Sequence, residues 1–494
     1  MADSIEVVDA AGKSHRLRPN ALGVLGILFF VLSAQAPLTG IAGASPLSIA
    51  LGDGAGAPGA YLLVGIMIIV FAVGFIAMSR YVQDAGAFYA YIGRGLGRPI
   101  ATGSALVALL SYGTVQAAMY GLYGVVVSGL FLQHLSWHVA WWVCALVTML
   151  LVQAVGSLGI DLGARVLAVL VACEMAILLA FAIAVLVSGG GPQGLDPVSS
   201  FAPSHILSGT PGIAIMFAIA SMFGFESTAI YAEEAKDPER TVPRATYLSV
   251  SVIAVFFAFV MWMLVSYYGA RHAAAAANKS LASGDSTAFL FNAVADKVGS
   301  WAATVLGYLL ASSLLAGIIA FHNGINRYVY SLGRHATLPS VVTKVNRHHA
   351  PWVAACVQTV IAIGLVMPFA ITHSDPVLTL FSWFSGVAVL ALMVLYLLTS
   401  VSVIVFFRRV DHSARWWQTL LAPALASVMI IGVTYIIVDN FTVLIGGKQS
   451  TATWLMLLVP IVFIIGVAIS RMTREGGVDD HTEPSLAVAS HEIV

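Results

Sequence analysis

Long apolar runs dominate this chain, and short polar or charged segments divide them. About 20 consecutive apolar residues cross a bilayer as a helix. Runs near or above that length fall at 22–50, 58–80, 100–131, 138–157, 163–188, 211–232, 244–269, 298–328, 351–371, 376–406, 418–438 and 452–471. The pattern predicts an all-α membrane protein with twelve transmembrane helices. Two of the runs carry helix-breaking residues near the middle. The first reads Val31-Leu-Ser-Ala-Gln-Ala-Pro-Leu-Thr-Gly-Ile-Ala-Gly-Ala-Ser-Pro46, and the sixth reads Phe217-Ala-Ile-Ala-Ser-Met-Phe-Gly-Phe-Glu-Ser227. Lipid-exposed backbone cannot leave its amides unpaired without a cost of several kcal/mol per group. An interrupted span therefore belongs beside a protein-walled cavity, where the freed backbone dipoles can hold a solute.

Composition agrees. The 494 residues are 59% hydrophobic and only 9% charged, against roughly 25% charged in a soluble domain. Formal net charge is zero, which gives nucleic acid and other polyanions no electrostatic purchase. Cys144, Cys173 and Cys356 sit inside apolar runs with no ligand spacing between them, and they read as small buried hydrophobes. No catalytic constellation, metal motif or cofactor motif stands out. Residues 1–20 are polar, with Lys13, Arg16 and Arg18, and the apolar run that follows is too long for a signal peptide. Residues 21–475 form the transmembrane unit, and the polar, acidic segment 476–494 reads as a disordered tail.

The basic residues orient the chain. With the N-terminus in the cytoplasm, all of the 23 Lys and Arg residues fall on the inner side except Arg271, Lys279, Lys297 and Lys448. That asymmetry predicts both termini inside and a multi-pass protein of the cytoplasmic membrane.

Several side chains inside the runs could carry function. Pro37 has no backbone donor, and Ala36, Thr39, Gly40 and Ile41 flank it. The N-terminus of a half-helix presents free amides and partial positive charge, suited to a carboxylate. The alternative is that Gly and Pro here only let helices pack closely. In the sixth run, Phe223, Gly224, Phe225 and Ser227 mark the second break, where carbonyls would attract an ammonium and Phe223 could cover it. Glu226 and Glu174 are acids within spans, which must pair, take a proton or face water; each is read as a proton carrier or as a structural brace. Ser312 and Ser313 form a candidate cation site or a polar contact between helices. Tyr112 and Gln116, with Tyr120, make a stripe at helical spacing that could line a path.

Three segments carry a resemblance. Gly224-Phe-Glu followed by Glu233-Glu-Ala-Lys-Asp-Pro-Glu-Arg-Thr-Val-Pro243 resembles the sixth-span motif of amino acid–polyamine–organocation permeases. Asp84-Ala-Gly-Ala-Phe-Tyr-Ala-Tyr-Ile-Gly-Arg-Gly-Leu-Gly97 is similar to their loop between spans two and three. The run Phe321-His-Asn-Gly-Ile-Asn-Arg-Tyr-Val-Tyr-Ser-Leu-Gly-Arg-His-Ala-Thr-Leu-Pro339 is similar to the end of their eighth span. The resemblance implies a leucine-transporter-like fold of two five-helix inverted repeats, about 21–188 and 211–406, with helices one and six broken and two peripheral helices, about 418–471. It also implies that Thr39, Gly40 and Ile41 grip a solute carboxylate, that Glu226 takes a proton or braces the break, and that hydroxyls of span eight meet a cation in sodium-coupled members.

The expectation is a secondary transporter for an amino acid, small amine or polyamine. Proton symport is preferred, with sodium symport or solute exchange as the alternatives. A solute sensor without net transport would need an appended cytoplasmic domain, and an enzyme would need a reactive constellation in the cavity.

Overall fold

A computed structural model describes residues 23–82, 88–158, 164–226, 228, 235–334, 338–347 and 350–475. Both polar ends assigned from the sequence, 1–20 and 476–494, lie outside them. The described residues are mainly helical, and an isolated bridge pairs Gly191 with Gly194. Nine helical stretches among them are long and apolar enough to cross a membrane, and Trp141–Ser157 and Pro211–Ser221 are shorter apolar helices.

The chain opens with α1 (Val24–Gln35) and α2 (Pro37–Ala42), and then α3 (Ala57–Ser79). A short amphipathic helix, α4 (Phe88–Leu96), precedes α5 (Arg98–Leu135), α6 (Trp141–Ser157) and α7 (Ala164–Val187). The second half runs through α8 (Pro211–Ser221), α9 (Pro238–Tyr268), α10 (Ser300–Arg334), α11 (Trp352–Ile371) and α12 (Ser382–Phe407). Helices α13 (Ala422–Leu444) and α14 (Gln449–Glu475) complete it. Many start at a proline in the first turn, as Pro37, Pro58, Pro99, Pro211 and Pro238 do. Its missing N–H falls where no intrahelical partner exists anyway.

Every apolar run read from the sequence contains one of these helices, with differences at the ends. Helix α9 begins at Pro238 and carries Pro243 inside it, six residues before the run predicted at 244–269. The segment between the second and third runs holds α4, whose Phe88, Tyr91 and Ile92 are buried. Two further helices, Ala273–Ala282 and Ala288–Lys297, occupy what reads as an outer loop. The cysteine expectation needs correction: Cys144 is buried, but Cys173 and Cys356 are exposed. Their apolar neighbours face outward with them, because lipid rather than protein covers the outer face of a spanning helix. Helix α14 lies along α5 and is mostly exposed.

One continuous apolar core spans the helices. Around Phe225 it is an aromatic block: the ring meets Phe71, Phe75 and Tyr396 with centroids 5.7–6.4 Å apart.

Candidate functional site

The first run is helical on both sides of Ala36, and Ala36 itself is left-handed, with φ 44° and ψ 70°. An L-residue with a Cβ adopts that region at a cost of about 1–2 kcal/mol. The kink re-aims the chain at Pro37, so that α2 starts in the protein interior. Gly40 then lets α2 press against its neighbours. A Cβ there would lie 2.7 Å from the Phe257 ring and 3.0 Å from Ser221 Cβ.

The sixth run is helical to Ser221, and residues 222–226 form turns. Gly224 has φ 102°, a conformation that favours glycine. The side chain of Glu226 folds back, its Oε2 accepting the Gly224 amide at 3.1 Å. Ser227 lies outside the described residues.

The two interruptions touch. Gln35 Nε2 donates to the Met222 carbonyl at 3.4 Å, and Ser221 Oγ donates to the Phe217 carbonyl at 2.8 Å and to the Gly40 carbonyl at 3.4 Å. Between them lies a cavity of about 60 Å³, space for a few waters. Ala36, Thr39 and Gly40 line it from the first interruption, and Ser221 and Phe223 from the second. Gln35, Ala44, Val115, Met119, Phe217, Ala220, Phe321, Phe381 and Ser385 complete the wall. Two buried polar atoms of this lining, Gln35 Oε1 and Thr39 Oγ1, have no hydrogen-bond partner among the described residues. A buried polar group without a partner needs an explanation, and a ligand in the cavity supplies one.

Aromatic rings pair in the cavity wall and behind it. Phe217 and Phe381 stack with centroids 6.2 Å apart. Phe223, Phe321 and Tyr112 form a triangle with centroid distances of 5.9–6.1 Å.

Other predicted site residues take different places. Pro37 and Ile41 are buried but do not line the cavity, and Gly224 shapes the turn. Phe225 points into the aromatic block, away from the cavity. Tyr112 stands behind Phe223 rather than in the wall. Gln116 donates to the Ile318 carbonyl at 3.0 Å and accepts from Gln358 Nε2. Gln358 Oε1 in turn meets His322 Nδ1 at 2.6 Å. The polar stripe of α5 thus faces α10 and α11, and its neighbours Val115 and Met119 face the cavity.

Glu174 on α7 is fully buried. Its Oε2 accepts the backbone amide of Leu38, in the first turn of α2, at 3.4 Å, and Oε1 has no partner among the described residues. Ser313, buried on α10, lies beside the same carboxyl group. Ser312 instead donates to the Leu309 carbonyl of its own helix at 2.9 Å. Of the serine pair, only Ser313 meets the acid. The aromatic and small lining residues that the sequence did not single out, such as Met119 and Phe381, carry no mark distinguishing them from core.

A family profile described as amino acid permease matches residues 22–469. An uncharacterized transporter of Mycobacterium bovis is 24% identical over 408 residues, covering 76% of this chain and 79% of its own. A branched-chain amino acid permease of Lactococcus lactis is 27% identical over 238 residues, covering 46% and 48%. Among solved structures, the manganese transporter of Eremococcus coleocola superposes with a TM-score of 0.53 at 16% identity, over 90% of this chain and 95% of that one. That likeness is one of fold. With a profile match along nearly the whole chain, this membrane protein belongs to the amino acid permease family.

Proposed function

We propose that the protein is a secondary transporter that moves a small amino acid with an apolar side chain, coupled to protons. The observation that carries this reading is the cavity between Ala36–Gly40 and Ser221–Phe223. Its polar groups are backbone dipoles, the Gln35 amide and the hydroxyls of Thr39, Ser221 and Ser385, and the rest of its wall is apolar or aromatic. No charged side chain of the described residues lines it. A zwitterion needs one donor set and one acceptor set, which backbone supplies at an interrupted helix. A diamine would want a carboxylate in the wall, and a divalent cation would want several oxygen ligands with charge. The carboxylate of the solute would sit at the start of α2 and its ammonium at the carbonyls after Ser221. Phe223 and Phe321 would cover the apolar side chain. The branched-chain amino acids named for the Lactococcus lactis relative belong to the same class.

Glu174 is the coupling group. Its charge attracts the positive end of α2 through the Leu38 amide, and protonation removes that attraction. A proton gradient thereby biases how firmly α2 is held against α7. In this reading the chain carries twelve spans arranged as two inverted five-helix repeats, with access alternating as one bundle rocks against the other. Glu226 is bound to its own turn and serves as a brace.

The test is uptake into liposomes containing the purified protein. Leucine, isoleucine, valine, glutamate, lysine and putrescine are compared, with an imposed proton gradient, a sodium gradient or neither. The expected result is accumulation of an apolar amino acid that responds to the proton gradient. In Glu174→Gln, uptake should fall to the level seen without a gradient, and that level should persist. Uptake of putrescine without any apolar amino acid would overturn the solute assignment. A Glu174→Gln variant that still answers the proton gradient would overturn the coupling assignment. The carboxylate of Glu174 beside Ser313 also suits sodium, so accumulation driven by the sodium gradient alone would transfer the coupling to that ion.

A further inference from the structure

Three acids are buried among the described residues: Asp53, Glu174 and Glu226. Two of them accept a backbone amide, Glu174 from Leu38 and Glu226 from Gly224. Asp53 does not. It is 7% exposed, and both Oδ1 and Oδ2 are closed off from solvent with no hydrogen-bond partner among the described residues. Its own backbone amide lies beside the carboxyl without the alignment of a hydrogen bond. A buried carboxylate must find donors, a cation or water, or else give up its charge by taking a proton.

Asp53 ends the stretch Ser48–Asp53, which continues the first run beyond α2 and packs along α8. Thr210, just ahead of α8, fastens the two. Its amide donates to the Gly52 carbonyl at 3.3 Å, and its hydroxyl donates to the Gly52 carbonyl at 3.1 Å and to the Leu51 carbonyl. Gly52 sits so close to α8 that a Cβ on it would lie 3.1 Å from Ala214. The carboxyl is thus enclosed at a joint between the segment that follows the first interruption and the helix that leads to the second. It is also within electrostatic reach of Tyr61 on α3, whose hydroxyl lies 3.4 Å from Ser221 Oγ in the cavity wall. The elements packed against residues 48–56 bring Tyr61, Asp196, His205, His272 and Lys279 to this end of the fold. Of these, His205, His272 and Lys279 are exposed, and Asp196 is turned to Ser199. None supplies Asp53 with a counter-charge.

We infer that Asp53 is a proton-binding site, and that its proton holds the joint between Gly52 and Thr210 closed. Neutral, the carboxyl can stay buried without partners. Ionised, it demands water, and water reaches it only if Ser48–Asp53 and the start of α8 part. The closed joint therefore favours the protonated acid: its advantage is complete in acid and is lost as pH rises. A divalent cation would want further carboxylates, and no group of three or more His, Cys, Asp or Glu side chains stands together among the described residues. The site is independent of which solute is carried and of which ion Glu174 answers to.

The experiment is amide hydrogen exchange on the purified full-length protein in lipid nanodiscs, from about pH 5 to about pH 9, with each rate divided by that of an unstructured peptide at the same pH. In the native protein, protection of residues 49–54 and 210–214 should fall as pH rises, by up to about tenfold per pH unit across the titration. Asp53→Asn keeps the shape and stays neutral, so its protection there should be high and level at every pH. Glu174→Gln should keep the native slope in these two segments. Infrared spectra above about pH 5, where exposed carboxyls are ionised, should carry a protonated-carboxyl band that Asp53→Asn lacks. The native slope needs no variant, and level protection in the native protein would overturn the proton site. A slope shared by the native protein and Asp53→Asn would overturn it too, by placing the titration elsewhere. Protection restored at high pH by added sodium ions, in the native protein but not in Asp53→Asn, would overturn the proton in favour of a metal cation.

Discussion

The two interruptions at the centre of this protein are built on opposite plans. The first turns at a non-glycine residue, Ala36, and is fastened by distant parts of the chain: Gln35 reaches Met222, and the Leu38 amide reaches Glu174 on α7. The second turns through Gly224, shares the Gln35–Met222 bond, and adds a local fastening by Glu226 two residues away. A turn held in part by its own residues depends less on its neighbours. A turn held by long-range partners changes when those partners move or change charge. The difference assigns the first interruption to response and the second to scaffold.

Substitutions can break or sharpen that contrast. The largest effect should come from Gly40→Val. The added atoms would collide with the Phe257 ring and Ser221, and such overpacking costs about 1–3 kcal/mol or more. Thermal unfolding of the purified protein should show the loss, and solute binding should vanish with it. Gln35→Ala should come next. It removes the Gln35 donor from the buried Met222 carbonyl, at a cost of about 1–2 kcal/mol. If the two interruptions are one linked unit, hydrogen exchange should rise around both Ala36 and Met222. Protection lost only near residue 35 would show that they are independent. The smallest effect should be a gain. Ala36→Gly relieves the left-handed backbone and should stabilise the protein by about 1 kcal/mol after the extra freedom of the unfolded chain is counted. A loss of about 0.4–1 kcal/mol in Ala36→Gly, the cost of the added freedom alone, would mean that the turn carries no strain.

The existence and order of the helices were legible in the sequence because a bilayer demands a fixed apolar length. The turn at Ala36 and the end of α8 at Ser221 fall where Pro37 and Gly224 argue against a continuous helix. Which way each face points was not legible. In a soluble helix, polarity reports the outer face. Here lipid, core and cavity all favour apolar side chains, so Phe225 in the core and Phe223 in the cavity wall look alike in sequence. The polar stripe of α5 misled for a related reason. A buried amide seeks another amide, and Gln116 finds Gln358 on α11 rather than the cavity. The amphipathic helix α4 was hidden because its apolar positions are too few for a spanning run and too regular for a loop. Glu174 was visible as an intramembrane acid, but only the fold brings it to the Leu38 amide, 136 positions away in the chain.

The bond from Gln35 to the Met222 carbonyl has one more implication. That carbonyl lies where the proposed solute's amino group would dock, and a side-chain amide already occupies it. Entry of a guest is then a swap of one donor for another, with little net gain in hydrogen bonding. Tight capture would defeat a carrier, which must let go on the far side as readily as it takes hold. A resident stand-in keeps the unloaded protein from wasting a dipole and keeps the loaded one from holding its cargo too long.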